Sequence, residues 1–122
     1  MIQSHKDLLV WQKGIDLVLV IYQLTKDFPK EEVYGLTSQI RRAAISIPSN
    51  IAEGRNRGTR KDFAQFLRIA FGSGAELETQ LLIARKLSFG QEIGYNKVDD
   101  QLNEVMRMLN AMIHKLTQPS KS

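Results

Sequence analysis

Apolar residues recur at helical spacing in four segments of this chain, and no segment shows the alternation typical of a strand. The segments cover about residues 8–27, 36–53, 61–87 and 97–116. Apolar residues three and four positions apart share one face of a helix, which must be buried against another element. Short connections favour antiparallel neighbours. The sequence therefore predicts an all-α fold, an antiparallel up-down-up-down four-helix bundle.

The size and composition of the chain suit a single bundle domain. Of its 122 residues 43% are apolar and 25% are charged, which is enough to bury a core. The chain has no cysteine, which excludes disulfides and thiolate metal sites. The N-terminus lacks a signal-peptide pattern, and no apolar run approaches the roughly 18 residues of a membrane span. We therefore expect a cytoplasmic protein that makes no membrane contact and ends in a polar tail, 117–122.

Local signals predict where the helices begin and end. Residues with short polar side chains are typical N-caps. The predicted N-caps are Asp7, Thr59 and Asn96. The first helix should end at Phe28-Pro29, because the residue before proline disfavours helical geometry. The second should end at Gly54. Pro48 inside the second helix removes one hydrogen bond and predicts a kink, with Ser49 or Asn50 covering the freed carbonyl.

The first helix carries two apolar stripes about 100° apart. The first stripe consists of Leu8, Trp11, Ile15, Val18, Tyr22 and Thr25. The second stripe consists of Gly14, Leu17, Ile21, Leu24 and Phe28. One stripe is enough for a bundle core. The other indicates either self-association or a thick core that takes both stripes, and the sequence leaves the two explanations open.

Glycines interrupt the third helix at Gly72 and Gly74. Each costs about 1 kcal/mol relative to alanine inside a helix. Close approach of another helix would compensate for that cost. We expect Ala70 and Gly74 to let the Ala43-Ala44 surface of the second helix come near.

The sequence contains no motif that would indicate an enzyme or a bound cofactor. Di-metal bundles use Glu-x-x-His on inward faces, but position 111, three residues before His114, is alanine. Two histidines near opposite ends of the chain and no cysteine leave little material for a catalytic triad. Gly72-Ser73-Gly74 lies within a helix and not in a phosphate-binding loop. We therefore expect no metal site, no cofactor and no enzymatic activity.

Basic residues are the remaining signal. The net charge is +4, and four cationic residues fall within seven positions between the second and third helices. They are Arg55, Arg57, Arg60 and Lys61. A phosphate backbone would be attracted to such a connection, although a solvated charged loop is the simpler interpretation. Arg42 and Lys86 are weaker candidates for the same contact.

Two charged residues lie at the margins of apolar faces. Arg41 is near Ile45 and Pro48 on the second helix, and Glu78 is beside Leu82 on the third. Charges in such places usually have partners. We predict a structural ion pair between Arg41 and Glu78, within one subunit or across an interface, with Glu53 as the rival partner of Arg41.

Several motifs give the chain a family resemblance. They are Asp7-Leu8 with Val10-Trp11-Gln12, Tyr34-Gly35-Leu36, Gln39-Ile40-Arg41-Arg42-Ala43-Ala44, Ser46 to Gly54, and Glu76 to Leu81. Over about residues 7–116 the chain resembles the four-helix-bundle proteins encoded by intervening sequences in bacterial large-subunit ribosomal RNA genes.

The resemblance implies properties that periodicity does not. Members of this family resemble cyclic homopentamers. They are similar in fold to the accessory variability proteins of diversity-generating retroelements, which act with a reverse transcriptase and nucleic acid. The sequence therefore favours a non-enzymatic oligomer, likewise expected to be a homopentamer, that binds RNA or DNA through a basic rim. The alternative is a structural or scaffolding oligomer with a protein partner.

Overall fold

Four α-helices account for most of residues 4–119, the part of the chain that this computed structural model describes. They are α1 (Leu9–Thr25), α2 (Leu36–Asn56), α3 (Arg60–Lys86) and α4 (Glu92–Thr117). Short 3-10 turns, His5–Asp7 and Lys30–Glu32, precede α1 and α2. No strand occurs within residues 4–119. The predicted all-α fold of four helices is confirmed.

The helices form a square in which α1 and α3 each pack against both α2 and α4. At one end, Asn56 Nδ2 lies 3.1 Å from His5 Nδ1, and Arg60 binds carbonyls at the end of α4. At the other end, the rings of Phe28 and Phe89 are 5.7 Å apart. The two contacts at the first end each join the end of one helix to the start of another, whereas Phe28 and Phe89 lie in the connections that follow α1 and α3. These contacts are consistent with the antiparallel up-down-up-down order, which stays a prediction. We call the end that contains Asn56 and Arg60 the basic end, and the end that contains Phe28 and Phe89 the Phe28 end.

Only one of the two stripes of α1 is fully buried in the core. Leu17 and Ile21 of the second stripe are 0% exposed. In the first stripe, Ile15 and Tyr22 are 36% and 39% exposed, and Trp11 is half-buried. The explanation by one thick core is therefore wrong, because part of an apolar stripe stays on the surface of this chain.

The junction between α2 and α3 confirms one predicted helix end and corrects another. Thr59 is the N-cap of α3, and its Oγ1 accepts from the Asp62 N–H at 3.0 Å. Gly54 does not end α2, which continues to Asn56. A Cβ at Gly54 would lie 2.5 Å from Phe66 Cβ. Glycine is needed there because α3 approaches α2 so closely.

The start of α1 differs from the prediction that Asp7 is its N-cap. Asp7 accepts from the Ser4 N–H at 3.3 Å, and Ser4 Oγ accepts from the Lys6 N–H at 3.1 Å. These reciprocal bonds close the His5–Asp7 turn. The N-cap of α1 is Leu8, which makes no side-chain capping bond. The helix ends at Thr25, two residues before the predicted end.

The fourth helix begins at Glu92, five residues before the predicted start, so Asn96 lies inside it. Tyr95 anchors its first turn: the side chain is 2% exposed, and its hydroxyl donates to the Phe89 carbonyl at 2.6 Å. The helix includes Thr117, so the predicted tail is shorter by one residue. Residues 120–122 of that tail lie outside the described residues.

Pro48 lies within an uninterrupted α2 and is buried. A Cβ at Gly14 of α1 would lie 3.4 Å from Pro48 Cβ, so the two helices are close there. Asn50 Nδ2 donates to the Ser46 carbonyl at 2.8 Å. It therefore covers a different carbonyl from that of Ala44, which the proline frees. The kink stays a prediction.

Gly74 is buried beside α4, which corrects the expectation that it faces α2. A Cβ at Gly74 would overlap Met106 Sδ of α4. The contact from this part of α3 to α2 comes from a neighbouring residue, because Ser73 Oγ lies 2.8 Å from Ser46 Oγ. Glycine at position 74 thus leaves the space that the Met106 side chain of α4 occupies.

Gly74→Leu should destabilise the fold strongly, because the new side chain must displace Met106. Overpacking of this kind costs about 1–3 kcal/mol. Gly72→Leu is the matched control, since a Cβ at Gly72 has no atom within 4 Å and leucine favours the helix. Urea unfolding followed by circular dichroism measures both variants. Equal free energies of unfolding for the two would contradict a tight contact at Gly74.

Candidate nucleic-acid interface

The four predicted cationic residues lie on two helix ends at the basic end of the bundle. Arg55 is in the last turn of α2, and Arg60 and Lys61 open α3. Only residues 57–59 connect the helices. Gly58 has a φ of +88°, a conformation that favours glycine. The connection is therefore a tight turn, which fixes the four residues in one corner.

All three arginines of this set are engaged within the chain. Arg57 Nε donates to Glu53 Oε2 at 3.1 Å, and its guanidinium lies 5.0 Å from the centroid of the Phe66 ring. Arg55 is partly buried and also interacts within the chain. Glu53 is therefore the partner of Arg57 and not the predicted rival partner of Arg41.

Arg60 ties the start of α3 to the end of α4. Its Nε donates to the Leu116 carbonyl at 2.9 Å, and its Nη2 donates to the Lys115 carbonyl at 2.8 Å. The last carbonyls of a helix lack partners within the helix and favour a cation nearby. Arg60 thus caps α4, a structural role that the sequence did not reveal.

A groove between the start of α3 and the end of α4 collects further cations. We call it the basic groove, and its volume is about 610 Å³. Its lining residues are Arg60, Lys61, Ala64, Gln65, Arg68, Leu116, Thr117 and Gln118. Three of them are cationic and none is a carboxylate. Lys115, whose carbonyl binds Arg60, is exposed beside this groove.

Arg68 lines this groove and Lys115 lies next to it in α4, although sequence reasoning missed both. They are 47 positions apart, and only the contact between the ends of α3 and α4 brings them near each other. Arg42 and Lys86 do not join them. Arg42 lines a groove between α2 and α3 with Glu76. Lys86 is the last residue of α3, at the Phe28 end.

Arg41 contacts α1 and does not contact its predicted partner Glu78, which lies on α3. Its Nε donates to Thr25 Oγ1 at 2.9 Å, and its guanidinium lies 4.3 Å from the centroid of the Tyr22 ring. Glu78 lines a groove between α3 and α4. No ion pair joins Arg41 and Glu78 within residues 4–119, because they lie on opposite sides of the bundle. Pairing across an interface stays a prediction.

The groove that contains Glu78 also holds a compact ion network. Arg85 donates to a carboxylate oxygen of Glu92, and its Nη1 donates to Asp99 Oδ2 at 3.1 Å. The hydrogen bond to Glu92 is the largest cause that raises the pKa of Arg85 above its ordinary value. Burial raises the pKa of the neighbouring Tyr95 hydroxyl to about 12.

The described residues contain neither a metal cluster nor a membrane span. Within residues 4–119, no group of three or more histidine, cysteine, aspartate or glutamate side chains is placed to hold a metal ion. None of the four helices combines the length and the apolar character needed to cross a bilayer.

Arg60→Lys should loosen the end of α4 although it keeps the positive charge, because lysine lacks the forked donor that binds two carbonyls. We expect faster amide hydrogen exchange over residues 113–117 and a loss of about 1 kcal/mol in the free energy of unfolding. Lys61→Gln is the control and should leave this exchange unchanged. Wild-type exchange rates in Arg60→Lys would contradict the capping role.

Tyr95 should make the protein less stable as the pH rises from 10 to 12. Its pKa is about 12 in the folded chain against an ordinary 10.0. Folding therefore favours the neutral form of the Tyr95 hydroxyl. The stabilisation that this form adds to the free energy of unfolding is complete below pH 10 and is lost as the pH rises to 12. Urea midpoints across this range should fall less steeply for Tyr95→Phe than for wild type. Tyr34→Phe, at a residue 96% exposed, should keep the wild-type slope. Parallel slopes for Tyr95→Phe and wild type would refute this assignment.

Comparison with known proteins places this chain in a family. A solved structure that is similar to it comes from Bacteroides thetaiotaomicron VPI-5482 and is described as a protein with unknown function from the S23 ribosomal protein family. The two share 25% identity with a TM-score of 0.79, over 87% of this chain and 96% of the other. A search of the curated proteins finds no match. The model of the 23S rRNA-intervening sequence protein family matches residues 6–111, so the chain belongs to that family.

Proposed function

We propose that this chain is a non-enzymatic, cytoplasmic homo-oligomer that binds RNA or DNA through the basic groove. The observation that carries the proposal is the lining of this groove, which contains Arg60, Lys61 and Arg68 and no carboxylate. A phosphate backbone binds such cations favourably because they displace its condensed counterions into the solution. These contacts position the polymer and carry no base specificity.

The cations of the basic groove are largely available to a ligand. Lys61, Arg68 and Lys115 are exposed and form no ion pair with a carboxylate in the described part of the chain. Glu53 is held by Arg57, which reduces its effect on a nearby phosphate. Arg60 contributes its charge from a fixed position, because two carbonyls of α4 hold its guanidinium.

Self-association would multiply these contacts. The partly exposed stripe of α1 supports it, since the apolar side chains of Ile15 and Tyr22 are 36% and 39% exposed in one chain. The family resemblance implies a homopentamer. Several copies of one groove on a single rim raise the effective concentration of each contact after the first has formed.

The alternative function is a structural or scaffolding oligomer that binds a protein partner. Two exposed apolar side chains near the Phe28 end favour it: Tyr34 is 96% exposed and Ile93 is 77% exposed. Salt separates the two functions, because phosphate contacts weaken steeply with added salt and apolar docking does not.

Lys61→Gln with Arg68→Gln should weaken binding of single-stranded RNA and of duplex DNA, because both side chains line the basic groove. The slope of log affinity against log salt should fall by about 0.7 to 0.9 for each phosphate contact removed. Fluorescence anisotropy between 50 and about 200 mM salt, the range over which such contacts lose most affinity, measures the slope.

Lys86→Gln with Lys97→Gln is the matched control, since it removes the same charge from exposed lysines away from the groove. Equal effects of the two double variants would place the contact outside the basic groove. A wild-type protein that binds neither polymer at low salt would instead favour the scaffold. Light scattering on each variant must show wild-type mass for the comparison to hold.

A further inference from the structure

Two grooves near the Phe28 end carry opposite charge and lie on opposite sides of the bundle. The Arg41 groove, between α1 and α2, is lined by Lys26, Lys30 and Arg41 and by no carboxylate. The Glu78 groove, between α3 and α4, is lined by Glu78, Asp99 and Arg85. Because α1 and α2 share one side of the square and α3 and α4 share the other, one chain cannot bring the two grooves together.

The charge in each groove is left uncompensated within the chain. Arg41 has a hydroxyl and an aromatic ring as neighbours, and neither is anionic. In the Glu78 groove, Arg85 is already bound by Glu92 and Asp99. Glu78 therefore has no cationic partner within the described residues, and the groove keeps an excess of negative charge.

Exposed apolar side chains flank both charges. Tyr22 and Ile45, beside Arg41, are 39% and 40% exposed, and Leu82, beside Glu78, is 54% exposed. Exposed apolar side chains beside charged groups are compatible with a protein interface, whose buried core is more apolar than its polar rim. The excess negative charge of the Glu78 groove would repel a phosphate backbone, and a phosphate would gain nothing from the exposed apolar side chains beside Arg41.

The two grooves also lie at similar heights along the bundle. Arg41 is five residues from the start of α2, and Glu78 is eight residues from the end of α3. At a rise of about 1.5 Å per residue they lie about 8 and 12 Å from the helix termini at the Phe28 end. Two copies side by side, with their helices parallel, would therefore bring one groove level with the other.

We infer that the Arg41 groove of one copy docks against the Glu78 groove of the next, with Arg41 and Glu78 forming an ion pair across the interface. The contact joins two different surfaces, so it is head-to-tail and generates a ring when the rotation closes. All copies then present the basic groove on the same rim. This inference rests on the proposed oligomer and names the surfaces that assemble it.

A charge swap tests the pairing directly. Light scattering on the full chain should give wild type a multiple of 13.9 kDa, and Arg41→Glu or Glu78→Arg should reduce the mass to that of one chain. The double variant Arg41→Glu with Glu78→Arg should restore the wild-type mass. Arg42→Glu and Glu76→Arg are the matched controls, because they change neighbouring charges outside both grooves and should stay assembled.

The outcomes separate this inference from the proposed function. If wild type is assembled but the swap does not restore a folded, assembled protein, the interface is elsewhere and the oligomer stands. A monomeric wild type would overturn the interface and the oligomer together. If circular dichroism shows that Arg41→Glu does not fold, the masses of Glu78→Arg and of the double variant still test the pairing. Loss of RNA binding by an assembled Arg41→Glu would show that its groove contacts the polymer, which would overturn the inference.

Discussion

The close contact between α2 and α3 at Gly54 determines how the basic end is built. No side chain fits there, because a Cβ would lie 2.5 Å from Phe66 Cβ. The three-residue connection that follows can then hold the start of α3 against the end of α2. From that position Arg60 reaches the last carbonyls of α4. The cationic corner is thus a consequence of helix packing, and its geometry does not depend on a flexible loop.

Arg41 and Arg85 show how differently this fold treats two arginines near one end. Arg85 has Glu92 and Asp99 as ion partners and lies 5.0 Å from the centroid of the Tyr95 ring. Arg41 has a comparable ring contact with Tyr22 but only a neutral hydroxyl in place of the carboxylates. A half-buried cation normally has an anionic partner. The missing carboxylate beside Arg41 supports the proposed assembly of several chains.

Sequence patterns predicted the number of helices and most of the core, but not the contacts between helix ends. The N-cap role of Thr59 was predictable because a capping threonine accepts a hydrogen bond from a residue only three positions further along the sequence. The start of α4 was not, because Tyr95 is buried by residues from other elements and hydrogen bonds to the Phe89 carbonyl. For the same reason the candidate site was predicted only in part. Arg60 and Lys61 are adjacent in sequence, whereas Lys115 joins them through tertiary structure alone.

The geometry of assembly decides whether the basic groove can bind strongly. The groove of one chain holds three cations, which release too few counterions for tight binding at physiological salt. Linked sites gain affinity only when one ligand can engage them simultaneously. A ring whose axis runs along the helices meets that condition, because every basic end then faces the same way. A twofold dimer with antiparallel chains would point the basic ends in opposite directions. The proposed pairing of Arg41 with Glu78 at matched heights would select the first arrangement. The charges at the Phe28 end would then govern how the opposite end contacts a nucleic acid.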